Sequence, residues 1–541
     1  MYLKRYLSLA LLAAALSFGL CGSHAAEIKI EDATIADLQA AFKNGTLTAE
    51  KLTKIYLARI DAYDKSGPKI NAVITLNPKA LEEAKALDAE RKAGKVRGPL
   101  HGVPIILKDN YNTFDLPTTA GSQLLAGSIP PADATVVKKL RAAGVIILAK
   151  VNLTEFAGGG GVRDASPEIV KAAAVPQGFS SMGLQTLNPH DLTRNPAGSS
   201  GGTGAGIAAA FAQFGLGTDT GGSIRNPSSA NGIVGLKPTH GLLSRNGIVP
   251  YALSFDTGGP MARSVYDVAV ALGVMAGPDS ADPATKKSVG KFEKDYTKYL
   301  KVGSLKGVRL GVARDFTGKD AGTDAVFEAA IVTLKSLGAE IVDPVRYPAY
   351  LMQSRAALYN VIGTIEYKAQ VADYLKTLKP EYPKNVAEMA ALANDPKTGY
   401  RSPGKAVAFA YTAANVPGID DPVYQVVKTD GLALIRDTML ALMDEHKLDA
   451  IIYPTVPRPA GLIGAAQIAD SATNIANLTG FPDLIVPAGF TPEGLPVTIS
   501  FFGRAFSEPK LLSYGYDFEQ ATKARRTPKY TPVLPDDTIT Y

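Results

Sequence analysis

Three stretches of this sequence carry residues that ordinary folding does not require. Lys108 closes the apolar run Ile105-Ile106-Leu107. A lysine there either snorkels its ammonium to the sheet edge or is buried. Burial disfavours the charged form and leaves an amine that can accept a proton. Ser199 and Ser200 stand among Gly198, Gly201, Gly202 and Gly204. Glycines allow close backbone approach, and the small residues from Gly204 to Ala210 read as a tightly packed helix. The serines then either cap that helix or use the free N–H groups of its N-terminus. Thr220-Gly221-Gly222-Ser223 places a hydroxyl directly after two glycines. That loop is either a plain turn or a nest of N–H groups, and a nest around a carbonyl is an oxyanion hole. Asp219 and Arg225 flank it and are placed to brace it as an ion pair. A hydroxyl nucleophile, an amine base and backbone donors together suit acyl transfer.

These parts need a rigid frame, and the pattern around them supplies one. From about residue 30 onward, helical and strand-like stretches alternate, with Gly and Pro between them. Leu52, Tyr56 and Ile60 lie one helical turn apart. Asn77-Pro78 reads as a cap and first-turn proline, with Gly94 as the stop. Residues 133–144 read as a helix and 145–148 as a buried strand. The alternation returns at 308–312, 325–337, 340–342 and 450–453. It predicts an α/β fold: a large mixed, twisted sheet covered by helices on both faces. Residues 345–430 are richer in helical pattern and are expected to form a helical subdomain within a domain spanning 26–541.

Composition excludes some functions. The 541 residues are 46% hydrophobic and 20% charged, with net charge +6. That charge is too small over this length, and too evenly spread, to predict binding to nucleic acid or an anionic membrane. Lys4 and Arg5, the apolar run from Leu9 to Cys21, and Ser23-His24-Ala25-Ala26 have the order of a secretory signal peptide, placed at 1–25. The run falls short of the ~20 residues of a membrane span. A periplasmic or secreted protein is expected, with no stable membrane insertion once the leader is cleaved. Cys21 is the only cysteine, so the chain beyond it has neither disulfide nor thiol nucleophile. No His/Cys cluster suggests a metal, and no cofactor is expected.

Taken together, the three parts resemble the amidase signature family. Thr118-Thr119-Ala120-Gly121-Ser122, the run from Lys150 to Phe156, Gly235-Leu236-Lys237-Pro238-Thr239 and Gly258-Gly259-Pro260-Met261-Ala262-Arg263 match family segments. Asn477-Leu478-Thr479-Gly480-Phe481-Pro482 and Gly494-Leu495-Pro496-Val497 also match. The serines are 24 residues apart (223 − 199), as in the family. The resemblance implies an amidase acting on linear carbon–nitrogen amide bonds through an acyl-enzyme. It implies Ser223 as nucleophile, Ser199 as a bridging serine after a cis peptide bond, and Lys108 as general base. It further implies that the N–H groups of Thr220, Gly221, Gly222 and Ser223 form the oxyanion hole, with Asp219 and Arg225 supporting the loop.

Two features depart from the family pattern. Ala197-Gly198 stands where two glycines are usual, and the long segment 158–195 separates Phe156 from the serine loop and is expected to line the substrate entrance. Asn77-Pro78-Lys79-Ala80-Leu81 and Arg97-Gly98-Pro99-Leu100-His101-Gly102 are most like bacterial peptide amidases. They imply a C-terminal peptide amide or another primary amide as substrate. Gly198-Ser199-Ser200-Gly201-Gly202 also satisfies Gly-x-Ser-x-Gly, which would make Ser200 the nucleophile of an α/β-hydrolase with His446 as base. However, the polar run 191–196 is no strand leading to a nucleophile elbow. The family also holds an amidotransferase subunit that works with partner subunits in tRNA-linked amidation, and an export leader argues against that role.

Overall fold

The computed structural model describes residues 27–162, 165–464 and 471–541, so the leader expected at 1–25 lies outside the described residues. Eleven strands form one sheet: β1 (Val73–Leu76), β2 (Pro104–Lys108), β3 (Ile146–Val151), β4 (Phe214–Asp219), β5 (Val234–Lys237), β6 (Thr257–Ala262), β7 (Arg309–Ala313), β8 (Glu340–Val345), β9 (Ala450–Pro454), β10 (Asp483–Phe490) and β11 (Pro496–Phe502). Their order is β8-β7-β9-β11-β10-β5-β6-β4-β2-β3-β1. The triples β8-β7-β9 and β4-β2-β3 are parallel. The other pairs are antiparallel. The sheet is therefore mixed, as expected.

Strand alternation sends successive side chains to opposite faces. Ile105 and Leu107 join one hydrophobic core with Phe214 and Leu216. Ile106 joins another with Ala205, Ile207 and Ala208 of α1 (Gly201–Ala208). Lys108, two residues beyond Ile106, is directed to this same face. Helix α1 lies close to the strands because its glycines remove side-chain bulk. A Cβ on Gly202 would meet the Asn152 carbonyl oxygen at 2.4 Å, and one on Gly206 would meet Ile106 Cδ1 at 2.9 Å. Small residues on this helix thus carry the serines to the end of β2.

Several local expectations shift. The helix expected at Asn77-Pro78 is regular from Ala80, and the turn that leads into it is still capped by Asn77. Its Oδ1 accepts from Lys79 N and its Nδ2 donates to the Ile147 carbonyl of β3. The 133–144 helix is Thr135–Ala142, because Asp133 pairs with Arg141 and accepts from Phe114 N. The 325–337 helix starts earlier, at Ala321, where Asp320 caps it through Thr323 N.

Between β8 and β9 the chain is helical, with Ala349–Lys376, Val386–Asn394, Pro403–Asn415 and Leu432–Glu445 as the longer pieces. Ile362, Tyr367, Phe409 and Met439 of these helices share a core with Val345, Ile451 and Tyr453 of the strands and with Phe156. The helical region is therefore packed onto the sheet as part of its covering layer.

Candidate active site

Lys108 is fully buried at the C-terminal end of β2. Its Nζ lies 2.7 Å from Ser199 Oγ, 2.7 Å from Thr218 Oγ1 and 3.4 Å from the Thr218 carbonyl oxygen. Burial pulls its pKa down to about 7, against the opposing pull of Asp219 and Asp256. Of the two sequence readings, the structure shows the buried one, and the amine does not reach solvent.

The peptide bond Gly198–Ser199 is cis. The Ser199 carbonyl accepts from Thr154 N at 2.9 Å. The serine loop and the Gly-Gly-Ser loop are joined directly, since Ser200 N donates to the Ser223 carbonyl at 3.1 Å. Ser199 and Ser223 line one cavity of about 560 Å³, together with Gly198, Gly221 and Gln177. Among the described residues Ser223 Oγ makes no hydrogen bond, so in this state the hydroxyl is open to the cavity.

Ser200 faces elsewhere. It is fully buried, its Oγ donates to the Thr218 carbonyl at 3.2 Å, and it accepts from Thr218 N at 3.3 Å. His446 caps the C-terminus of Leu432–Glu445, and its carbonyl accepts from Arg309 Nε. Neither residue borders the cavity. The α/β-hydrolase alternative therefore has no geometric basis.

Asp219 and Arg225 form the expected ion pair, with both side chains fully buried. Burial alone would raise the Asp219 carboxyl. The Arg225 guanidinium and the Asn477 amide override it and hold the carboxyl well below the usual range. Arg225 also reaches Asp483 at 3.0 Å and Asn477 Oδ1 at 2.6 Å.

One expectation about the nest is corrected. The Gly222 N–H donates to Asp219 Oδ1 at 2.8 Å, and the Ile224 N–H donates to Oδ2 at 3.0 Å. A carboxylate is the strongest acceptor nearby, so it takes the Gly222 donor that the sequence assigns to an oxyanion. The glycines have distinct roles. Gly222 adopts φ +118°, and Gly221 has no room for a side chain, because a Cβ would sit 2.5 Å from the Tyr359 hydroxyl. Tyr359 stacks on Phe255, with ring centroids 5.1 Å apart.

The segment 158–195 reaches the site through Gly158 and Gln177. It is held by Asn152, which donates to the Leu184 carbonyl at 2.8 Å and Thr186 Oγ1 at 3.0 Å. Glu155 accepts from Ser181 N at 2.9 Å. Gln177 and Gly198 also border a second, mostly apolar cavity of about 500 Å³, lined further by Ala230, Val456 and Ala460.

Thr218, Asn110, Tyr359 and Gln177 have no role of their own in the sequence reading, although Gln177 lies within the segment 158–195 expected to line the entrance. Two of them had a signal: Asn110 follows Lys108 by two residues, and Thr218 directly precedes Asp219. The other two are brought in by packing. Among the described residues no group of three or more His, Cys, Asp or Glu gathers as a metal site.

Residues 51–512 match the family described as Amidase. The solved structure of native peptide amidase from Stenotrophomonas maltophilia is 38% identical, with a TM-score of 0.83, over 92% of this chain and 99% of that one. A probable amidase of Arabidopsis thaliana is 34% identical over 511 residues, 93% of this chain and 92% of that protein. A Glutamyl-tRNA(Gln) amidotransferase subunit of Caldanaerobacter subterraneus subsp. tengcongensis is 36% identical over 509 residues, 92% of this chain and 98% of that protein. With the family match spanning most of its length, the chain belongs to the amidase signature family and is a hydrolase acting on amide bonds.

Proposed function

We propose that the protein is an exported serine amidase that cleaves primary amides, including C-terminal peptide amides, through an acyl-enzyme on Ser223, Ser199 and Lys108. The observation that carries this reading is a buried lysine, its pKa lowered to about 7, hydrogen-bonded to a serine that shares a cavity with a second serine. In the proposed cycle the neutral Lys108 amine takes the Ser199 proton as Ser199 takes that of Ser223, and Ser223 Oγ bonds to the substrate carbonyl carbon. The oxyanion is met by the N–H groups of Thr220, Gly221 and Ser223, while Asp219 and Arg225 hold the loop. The proton returns to the amide nitrogen, the C–N bond breaks and ammonia leaves. Water repeats the relay on the ester, and the carboxylic acid departs. Hydrogen bonds of this kind commonly tighten only when substrate binds, which suits the open Ser223 hydroxyl.

The substrate class is supported by likeness to peptide amidases and by the apolar cavity beside Gly198, which suits an acyl group. Export is supported by the order of residues 1–26. Among the described residues no helix is long and apolar enough to cross a membrane. The likeness to the amidotransferase protein favours a second reading, in which the chain needs partner subunits.

One experiment separates the two. Purified mature protein is given peptide amides, aliphatic and aryl primary amides and N-substituted amides, and released ammonia and amine are scored. Ammonia release without any partner is expected. Activity only after addition of a partner protein would favour the second reading. Mass spectrometry of the exported protein should find its N-terminus near Ala25 or Ala26, and a retained Met1 would remove the cleaved-leader proposal.

A further inference from the structure

Asn110, Thr218, Thr220 and Asp256 line a small chamber that adjoins the catalytic cavity and shares Ala157 and Tyr251 with it. Asn110 is 2% exposed. Its Nδ2 donates to Thr218 Oγ1 at 3.0 Å, the same oxygen that receives Lys108 Nζ at 2.7 Å. Its Oδ1 is buried with no hydrogen-bond partner among the described residues. Asn110 does not border the catalytic cavity.

A hydroxyl oxygen has two lone pairs. We infer that Asn110 is a positioning residue for the proposed base: its amide and Lys108 Nζ donate to the same oxygen, Thr218 Oγ1, and two donors on one acceptor weaken each other, so Thr218 holds an ammonium at Nζ less firmly than it would without Asn110. The inference rests on Lys108 being the base. With its N–H groups directed at Thr218, the neutral amine keeps its lone pair for the Ser199 proton.

The charged groups around it are few and mostly engaged. Asp219 faces Lys108 from β4 and is paired with Arg225. Asp256 faces it from the chamber and accepts from Tyr251 N, Ala252 N and Thr220 Oγ1. Arg245, also in the chamber wall, is paired with Asp282. Asp109, between Lys108 and Asn110 in sequence, is paired with Lys150 at 2.9 Å. Asn110 is thus the neutral group through which the amine can be adjusted without opening an ion pair.

The test is the pH profile of kcat/KM in Asn110→Leu and Asn110→Asp, with circular dichroism to establish that each variant is folded. Leucine removes the competing donor, and aspartate adds a negative charge near the amine. Both stabilise the ammonium, so the acidic limb should move to higher pH, by about one unit or more for Asn110→Asp and less for Asn110→Leu. KM should stay near the parent value, because Asn110 does not border the catalytic cavity. A purely structural role would lower activity equally at every pH and leave the limb in place. Superposed acidic limbs in both folded variants would overturn the inference. Lys108→Ala, measured alongside, tests the reading beneath it: near-parent activity there would remove Lys108 as base, whatever the Asn110 variants show.

Discussion

Asp219 and Arg225 meet at 3.0 Å with no exposure to solvent, and the same carboxylate holds the Gly222 and Ile224 N–H groups. The ion pair therefore sets the shape of the loop that ends in Ser223. Arg225 is shared with Asp483 at 3.0 Å, which ties the loop to β10 near the far end of the chain.

Arg225→Met should consequently leave two buried carboxylates without their cation. The expected cost is about 3–5 kcal/mol, with loss of activity. Denaturant unfolding measures it, and an unchanged midpoint would show that the pair contributes little. The low pKa of Asp219 adds a sign: its stabilisation is complete above the ordinary carboxylate range and is lost as pH falls through the folded value.

Ser223→Ala removes the proposed attacking oxygen and little else, since the hydroxyl has no partner within the described residues. Folding should be unaffected and kcat should drop by more than ~10³-fold. A fluorophosphonate probe should label Ser223 in the parent. Labelling at Ser200 would contradict the assignment.

Lys108 must be neutral to accept a proton, and its pKa lies near 7. Amidase activity should fall as pH drops through that value, because the ammonium form accumulates below it. Lys108→Arg should not rescue, since a guanidinium stays protonated. Lys108→Ala should lose at least ~10²-fold in acylation rate, with amides suffering more than esters. Near-parent activity in Lys108→Arg would make the lysine a structural charge.

Gly221→Ala should push its new methyl into Tyr359, whose hydroxyl would be 2.5 Å away. Displacing this loop should cost about 10- to 10²-fold in kcat. Shortening the obstacle, as in Gly221→Ala with Tyr359→Leu, should recover part of the loss, so the two changes should be non-additive. Strict additivity would show that Tyr359 does not constrain the loop.

The family resemblance implies the catalytic roles of Lys108, Ser199 and Ser223, while the residues alone show the α/β alternation, single out those three positions and set Asp219 and Arg225 around the loop. Those readings of the residues follow from local rules: apolar runs mark buried strands, glycines mark close approach, and opposite charges flanking a short loop are near each other by chain connectivity. The tertiary structure alone decided which donors and acceptors pair. Thr218 comes beside Lys108 because β4 pairs in parallel with β2, Leu107 opposite Leu216. Tyr359 arrives over Gly221 on a helix more than a hundred residues away, and Gln177 through an anchored segment. The Gly222 N–H turns to Asp219 because a buried donor goes to the strongest acceptor that the folded chain brings within reach. That competition is settled by distances across the fold, which residue order and local pattern do not contain.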